Sequence, residues 1–219
     1  MTYDNEKRLK PSHSRGGDDR VLGRLLAFTD GVFAIAITIL IIGVVVPEGT
    51  TKFNLDSVLA SLWSNYQGFL ISFFVIGLYW IGHVRQFRYI RKYGSGLLWL
   101  NLLFLLFIVI MPFTTNLVTK YGSKTTVIMY GANIACAGYM GTILWRYAVR
   151  SYQRAGKKLG SIYIRRGYII NLIAPVIFTL SIGVAFINDD LAQYIWISTL
   201  VFYIMALIVF KMPRLDDSD

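Results

Sequence analysis

Six runs of predominantly apolar residues, each about 20 residues long, occupy most of this chain. A bilayer has a hydrocarbon core about 30 Å thick, and a helix needs roughly 20 residues to cross it. The runs therefore predict an all-α membrane protein with six transmembrane helices. The composition agrees, since 55% of the 219 residues are hydrophobic and 16% are charged, whereas a soluble domain has about 25% charged residues. The predicted helices cover residues 26–46, 58–81, 97–118, 126–145, 168–187 and 191–210, the third ending near Pro112.

The basic residues predict how these helices are oriented. The chain has a net charge of +10, and 19 of its 22 Lys and Arg residues fall in the N-terminal segment, the loops after helices two and four, and the C-terminal tail. The other side keeps only Lys52, Lys120 and Lys124. By the positive-inside rule, both termini lie in the cytoplasm. The charge is thus a topology signal, and no nucleic-acid partner is expected.

These observations predict a multi-pass protein of the plasma membrane in three parts. Residues 1–22 form a flexible cytoplasmic arm, 23–211 the six-helix domain, and 212–219 a cytoplasmic tail. The predicted helices contain neither a nucleophile–base pair nor a cluster of metal ligands, so no enzyme, metal or cofactor is expected. The single cysteine, Cys136, is interpreted as a small buried hydrophobic residue.

One carboxylate stands out, because Asp30 is the only one of 12 acidic residues inside a predicted helix. A charged side chain at mid-membrane costs about 2.5–3.5 kcal/mol unless it has a partner or meets water. Arg24 lies six residues earlier, on a different helix face, so the better candidate partner is His83, at the end of helix two. Trp80 and Asn101 could add hydrogen bonds. Asp30 then either ties three helices together or takes part directly in gating or permeation.

Helix one also carries a heptad-like seam, a pattern typical of a helix that meets symmetry-related copies of itself. Asp30 lies off this seam. The seam has two interpretations: a packed interface, or a narrow pore whose hydrophobic rings exclude water. Its six residues, spaced alternately by four and three, are Arg24, Phe28, Gly31, Ile35, Thr38 and Ile42.

The segment from Arg24 through Phe28-Thr29-Asp30 to Thr38 resembles the helix-one signature RxxxFSD of the transmembrane protein 175 family, which comprises potassium-permeable cation channels. The likeness extends to Tyr79-Trp80-Ile-Gly-His83, to Leu100-Asn101-Leu-Leu-Phe and to the six-helix layout. It covers about the first 120 residues by motif and the remainder by hydropathy. Thr29 stands where the family has serine, and both residues carry a hydroxyl.

The resemblance implies a passive, potassium-permeable channel. Prokaryotic members have one six-helix unit per chain and assemble as homotetramers, with helix one of each subunit lining a central pore. Ile35 and Ile42 match the hydrophobic constriction, and Thr38 matches a threonine layer associated with potassium preference. The residues that match the network holding the pore helices are Arg24, Phe28, Thr29, Asp30, Trp80, His83 and Asn101.

One alternative function stays open from the residues alone. Paired titratable groups inside a membrane often carry protons, so Asp30 and His83 could serve a proton-coupled secondary transporter. The sequence shows no internal repeat, which counts against a transporter built from inverted repeats.

Overall fold

The computed structural model describes residues 13–90 and 94–209, and within these ranges all regular secondary structure is helical. This confirms the all-α prediction for the described residues. A 3-10 segment, Leu40–Gly43, continues the first helix. The helices are α1 (His13–Ile39), α2 (Leu55–Ser61), α3 (Trp63–Phe87), α4 (Ser95–Tyr121), α5 (Lys124–Arg154), α6 (Ser161–Ala185) and α7 (Asp189–Val209).

Five segments among the described residues are long and apolar enough to cross a membrane. The first is Arg20–Gly43, which combines most of α1 with the 3-10 segment, and the others are α3, α4, α5 and α6. They contain most of the first five predicted helices. The sixth predicted helix, 191–210, falls on α7, and its last residue lies outside the described residues. A sixth membrane crossing stays a prediction.

The ends of the first two predicted helices differ from expectation. The α1 helix begins at His13, so residues 13–22, expected to be part of a flexible arm, are helical; residues 1–12 and the tail 212–219 lie outside the description. The predicted helix 58–81 is two helices, α2 and α3, that meet at Leu62. No residue of α2 is buried, so α2 lacks the packed face that anchors α3.

The α5 helix continues well beyond the predicted end at residue 145. It runs to Arg154, and it therefore carries Arg146 and Arg150, which were expected in a loop. Helix formation does not stop where hydropathy falls, because a helix satisfies its own backbone hydrogen bonds in water as well as in lipid. Arginines near this C-terminus also favour the helix through its dipole.

Prolines lie inside two of the helices. Pro112 is within α4, so the expectation that helix three ends near it was wrong. Pro175 is within α6, opposite Gly138 of α5, where an added Cβ would lie 2.6 Å from the proline ring. Interior prolines are tolerated in membrane helices when neighbouring groups satisfy the freed backbone. The carbonyl of Asn171, which Pro175 leaves without its helical partner, lies 3.5 Å from the hydroxyl of Thr142. That hydroxyl makes its shorter bond (2.9 Å) to the carbonyl of Gly138 in its own helix, so its proton is shared between the two oxygens.

The helices pack in two groups that share α4. The α1, α3 and α4 helices contact one another, and α4, α5, α6 and α7 follow as neighbours in chain order. The α3 helix also contacts α5 and α7. Polar side chains on α3 can therefore reach nearly every other long helix.

Candidate functional site

The α1 helix has one buried and one exposed stripe. Its buried stripe packs against α3 and α4 and consists of Thr29, Phe33, Ala36 and Leu40, which are 0 to 3% exposed. Their spacing of four, three and four residues keeps them within about 60° of one another around the axis. This face explains why α1 docks in one rotational setting.

The seam occupies the opposite side of α1. All six of its residues are exposed, including Phe28 at 53%, Ile35 at 60% and Ile42 at 67%. At about 100° per residue, the seam is centred roughly 150° from the buried stripe. Ile42 lies in the 3-10 segment, so the predicted continuous helix to residue 46 ends earlier than expected. A large apolar surface turned away from its own chain is typical of a contact with lipid or another subunit.

The hydroxyl of Thr38 is satisfied within its own helix. Its Oγ1 donates to the carbonyl oxygens of Ala34 (2.9 Å) and Ile35 (3.0 Å). A threonine hydroxyl has one donor and two acceptor lone pairs. Because the proton points back into the helix, the oxygen presents its acceptor capacity to the exposed face.

A buried hydrogen-bonded chain links α1, α4 and α3. The amide Nδ2 of Asn101 donates to the hydroxyl of Thr29 (2.8 Å), and the Oδ1 of Asn101 pairs with His83 Nε2 (2.8 Å). The three residues are 0%, 0% and 1% exposed. Since Oδ1 can only accept, His83 must carry its proton on Nε2. The arrangement fixes three helices at one level.

Aromatic rings hold the imidazole of His83 in place. The ring stacks on Phe87 of its own helix, with centroids 4.0 Å apart, and lies nearly parallel to Phe104 of α4 at 5.7 Å. Phe33 of α1 approaches it at 6.2 Å. Such contacts restrict ring rotation and preserve the hydrogen bond to Asn101.

The hydrogen bond of Asp30 is made with Trp80, not with the expected His83. The indole Nε1 of Trp80 donates to Asp30 Oδ1 at 2.8 Å. Both residues are exposed in the single chain, whereas His83 points into the interior. Asp30 lies between the two stripes of α1, at the edge of the helix group, where the Trp80 side chain can reach it and the buried imidazole does not.

The structure divides the predicted network residues into groups. Thr29, Asn101 and His83 form the buried chain, and Trp80 with Asp30 forms a separate pair at its edge. Arg24 and Phe28 lie on the exposed seam instead. Within the described residues, no group of three His, Cys, Asp or Glu side chains could hold a metal ion.

Sequence reasoning missed four further polar contacts, made by three residues of α3. Ser72 Oγ lies 2.9 Å from the hydroxyl of Tyr130 and accepts from Thr115 (2.8 Å). Tyr79 donates to a backbone carbonyl of α5, and Gln86 donates to an amide oxygen of α6. A signal was available, since residues 72, 79, 83 and 86 are polar at spacings of seven, four and three in a mainly apolar helix. That spacing places them on one face.

Comparison with known proteins supplies the context for this arrangement. Residues 24–112 match the family model described as endosomal/lysosomal potassium channel TMEM175. A potassium channel of a Chryseobacterium species is 30% identical over 187 residues, covering 85% of this chain and 91% of the relative. A potassium channel of Streptomyces collinus is 29% identical, covering 77% and 84%.

A solved structure has the same architecture. The crystal structure of a lysosomal potassium-selective channel TMEM175 homolog from Chamaesiphon minutus superposes with a TM-score of 0.73 at 26% identity. It covers 85% of this chain and 98% of the solved chain. The family is one of ion channels and not of enzymes. The chain therefore belongs to the TMEM175 family, in the form of its prokaryotic members.

Proposed function

We propose that four copies of this chain assemble around a central axis and form a passive, potassium-permeable cation channel lined by α1. The bacterial relatives are named potassium channels. The observation that carries the proposal is the exposure of the entire seam, from Arg24 to Ile42, while the opposite stripe is buried. A helix that docks by one face and leaves a heptad-spaced face uncovered is suited to meet copies of itself.

In this assembly, Ile35 and Ile42 form hydrophobic rings that restrict the pore. Isoleucine offers no oxygen to a bare cation, so conduction requires a wider, wetted state. Both residues also border a cavity of about 430 Å³ between α1, α3 and α4. This cavity gives their side chains space to move off the axis, which supports a constriction that opens by side-chain displacement.

Thr38 lies between the two rings and would contact the permeating ion. Its outward oxygen has acceptor capacity because its proton is bonded within the helix. Four such oxygens can replace part of an ion's hydration. Potassium releases its water more readily than sodium, so this layer should favour potassium, although less strongly than a filter of backbone carbonyls.

The buried chain at Thr29, Asn101 and His83 holds α1 at a set rotation, so it acts on the pore by positioning. The geometry gives a proton-coupled transporter less support. Asp30 and His83 belong to separate hydrogen-bonded groups, and Asp30 is bonded to an indole N–H of Trp80, which can donate but cannot relay a proton.

The distribution of basic residues supports placing both termini in the cytoplasm. The membrane proposed for the channel is the plasma membrane. We retain a channel domain, 23–211, flanked by residues 1–22 and 212–219. The first turns of α1 lie in the N-terminal flanking segment. Permeant potassium is the ligand proposed, and conduction requires no cofactor.

The proposal is tested by potassium and sodium flux into liposomes that contain the purified chain. Ile35→Ala should raise potassium flux and lower the potassium-to-sodium ratio, because four truncated side chains widen the constriction. Leu106→Ala is the matched control, since Leu106 is 51% exposed on α4 and lies outside the seam. Equal flux for wild type and Ile35→Ala, or an equal effect of Leu106→Ala, would contradict the pore assignment.

A further inference from the structure

A small cavity beside His83 is bordered by residues of α3, α4, α5, α6 and α7. Its volume is about 30 Å³, and His83, Gln86 and Thr199 are among the residues that line it. A cavity holds a water molecule when it offers at least about 10–15 Å³ and two to four polar partners. The volume therefore suits a single water.

The same three residues carry buried polar atoms without a hydrogen-bond partner in the described part of the chain. These atoms are His83 Nδ1, Gln86 Oε1 and Thr199 Oγ1. The residues are 1%, 4% and 2% exposed. Native proteins rarely leave buried polar atoms unpaired, because such an atom loses its bonds to bulk water and gains none in return.

The chemistry of the three atoms is complementary to one water. His83 carries its proton on Nε2, which pairs with Asn101, so its Nδ1 is an acceptor. Gln86 uses its Nε2 to donate to Asn171 Oδ1 (2.7 Å), so its Oε1 is also an acceptor. The hydroxyl of Thr199 can donate. A water molecule can donate two hydrogen bonds, one to each acceptor, and can accept a third from the hydroxyl.

We propose that a water molecule bound in this cavity donates to His83 Nδ1 and Gln86 Oε1 and accepts from the Thr199 hydroxyl. The water keeps His83 in the Nε2–H tautomer that its bond to Asn101 requires. It also extends the polar chain of Thr29, Asn101 and His83 to α7. Gln86 and Thr199 are thus positioning residues for α1, acting through the imidazole.

The chain allows a direct spectroscopic test, because it has only two histidines, His13 and His83. In the His13→Gln variant, ¹⁵N-histidine labelling reports on His83 alone. Solid-state NMR of the full chain in lipid bilayers should show a protonated Nε2 and an unprotonated Nδ1 that receives magnetisation from water. A doubly protonated ring, an Nδ1–H tautomer or an Nδ1 without water transfer would overturn the proposal.

Two variants in the same background locate the water. Thr199→Val removes the hydroxyl and should abolish or strongly reduce the transfer from water to Nδ1. Ser198→Ala is the control, since the Ser198 hydroxyl donates to the carbonyl of Ile195 in its own helix, and it should leave both ring signals unchanged. Unchanged transfer in Thr199→Val would exclude Thr199 as a ligand of the water. If Thr199→Val does not fold, the His83 signals of the His13→Gln variant alone still test the water site. None of these measurements requires ion flux.

Discussion

Asn101 offers the sharpest test of what holds the α1 helix in place. Replacing it with leucine keeps a side chain of similar size but removes both hydrogen bonds, each 2.8 Å long, to Thr29 and His83. Hydrogen bonds between membrane helices contribute on average about 0.6 kcal/mol each. The substitution also leaves a buried hydroxyl and a buried imidazole N–H unpaired, and each unpaired group costs about 1–3 kcal/mol. Two such groups lead us to expect that Asn101→Leu lowers the free energy of unfolding by about 2–6 kcal/mol.

Equilibrium unfolding in mixed micelles, followed by the fluorescence of the chain's five tryptophans, measures this change. Asn133→Leu is the matched control, since Asn133 is also buried but makes one bond, 3.1 Å long, to the carbonyl of Phe107. It should cost about 1 kcal/mol. Asn101→Leu leaves the Thr29 hydroxyl unpaired, and Thr29→Val removes that hydroxyl. The double variant should therefore lose less free energy of unfolding than the sum of the losses of the two single variants. Equal losses for the two asparagine variants, or additive losses with Thr29→Val, would refute this account of the network.

Two further substitutions test the edge of the network and the helix packing. Trp80→Phe removes the indole N–H that donates a hydrogen bond to Asp30. It should alter potassium flux in liposomes, because an unpaired carboxylate in the membrane shifts α1 toward water. Flux equal to wild type would show that the pair is dispensable. Gly138→Ala places a methyl group against the ring of Pro175 and should destabilise the chain by about 1–3 kcal/mol in the same unfolding assay. Gly183→Ala, with nothing within 4 Å of the added Cβ, should cause no loss, and a similar loss in both would contradict the packing argument.

The membrane-spanning character of five helices could be predicted from sequence, because bilayer thickness imposes a length on any apolar helix. The helix ends could not be predicted as well. Hydropathy indicates where the hydrocarbon core of the bilayer ends. A helix, in contrast, ends where its backbone groups no longer form helical hydrogen bonds. The α5 helix thus continues through Arg150, and α4 continues through Pro112.

The seam could be predicted from periodicity, and the need of Asp30 for a partner from its position in an apolar segment. The identity of that partner could not. Spacing along one helix gives the direction of a side chain about its own axis, but not the depth or rotation of the neighbouring helix. Trp80 and His83 are three residues apart on α3, and only the packing of α3 against α1 decides which of them reaches Asp30.

Thiol modification shows whether the seam of α1 lines a water-filled path for ions. The single cysteine, Cys136, is replaced by alanine, and Thr38→Cys is introduced in that background. A charged methanethiosulfonate reagent should then block potassium flux into liposomes, while Leu106→Cys in the same background should stay insensitive. Flux that persists after treatment of Thr38→Cys, or an equal block at Leu106→Cys, would contradict a pore lined by this face of α1.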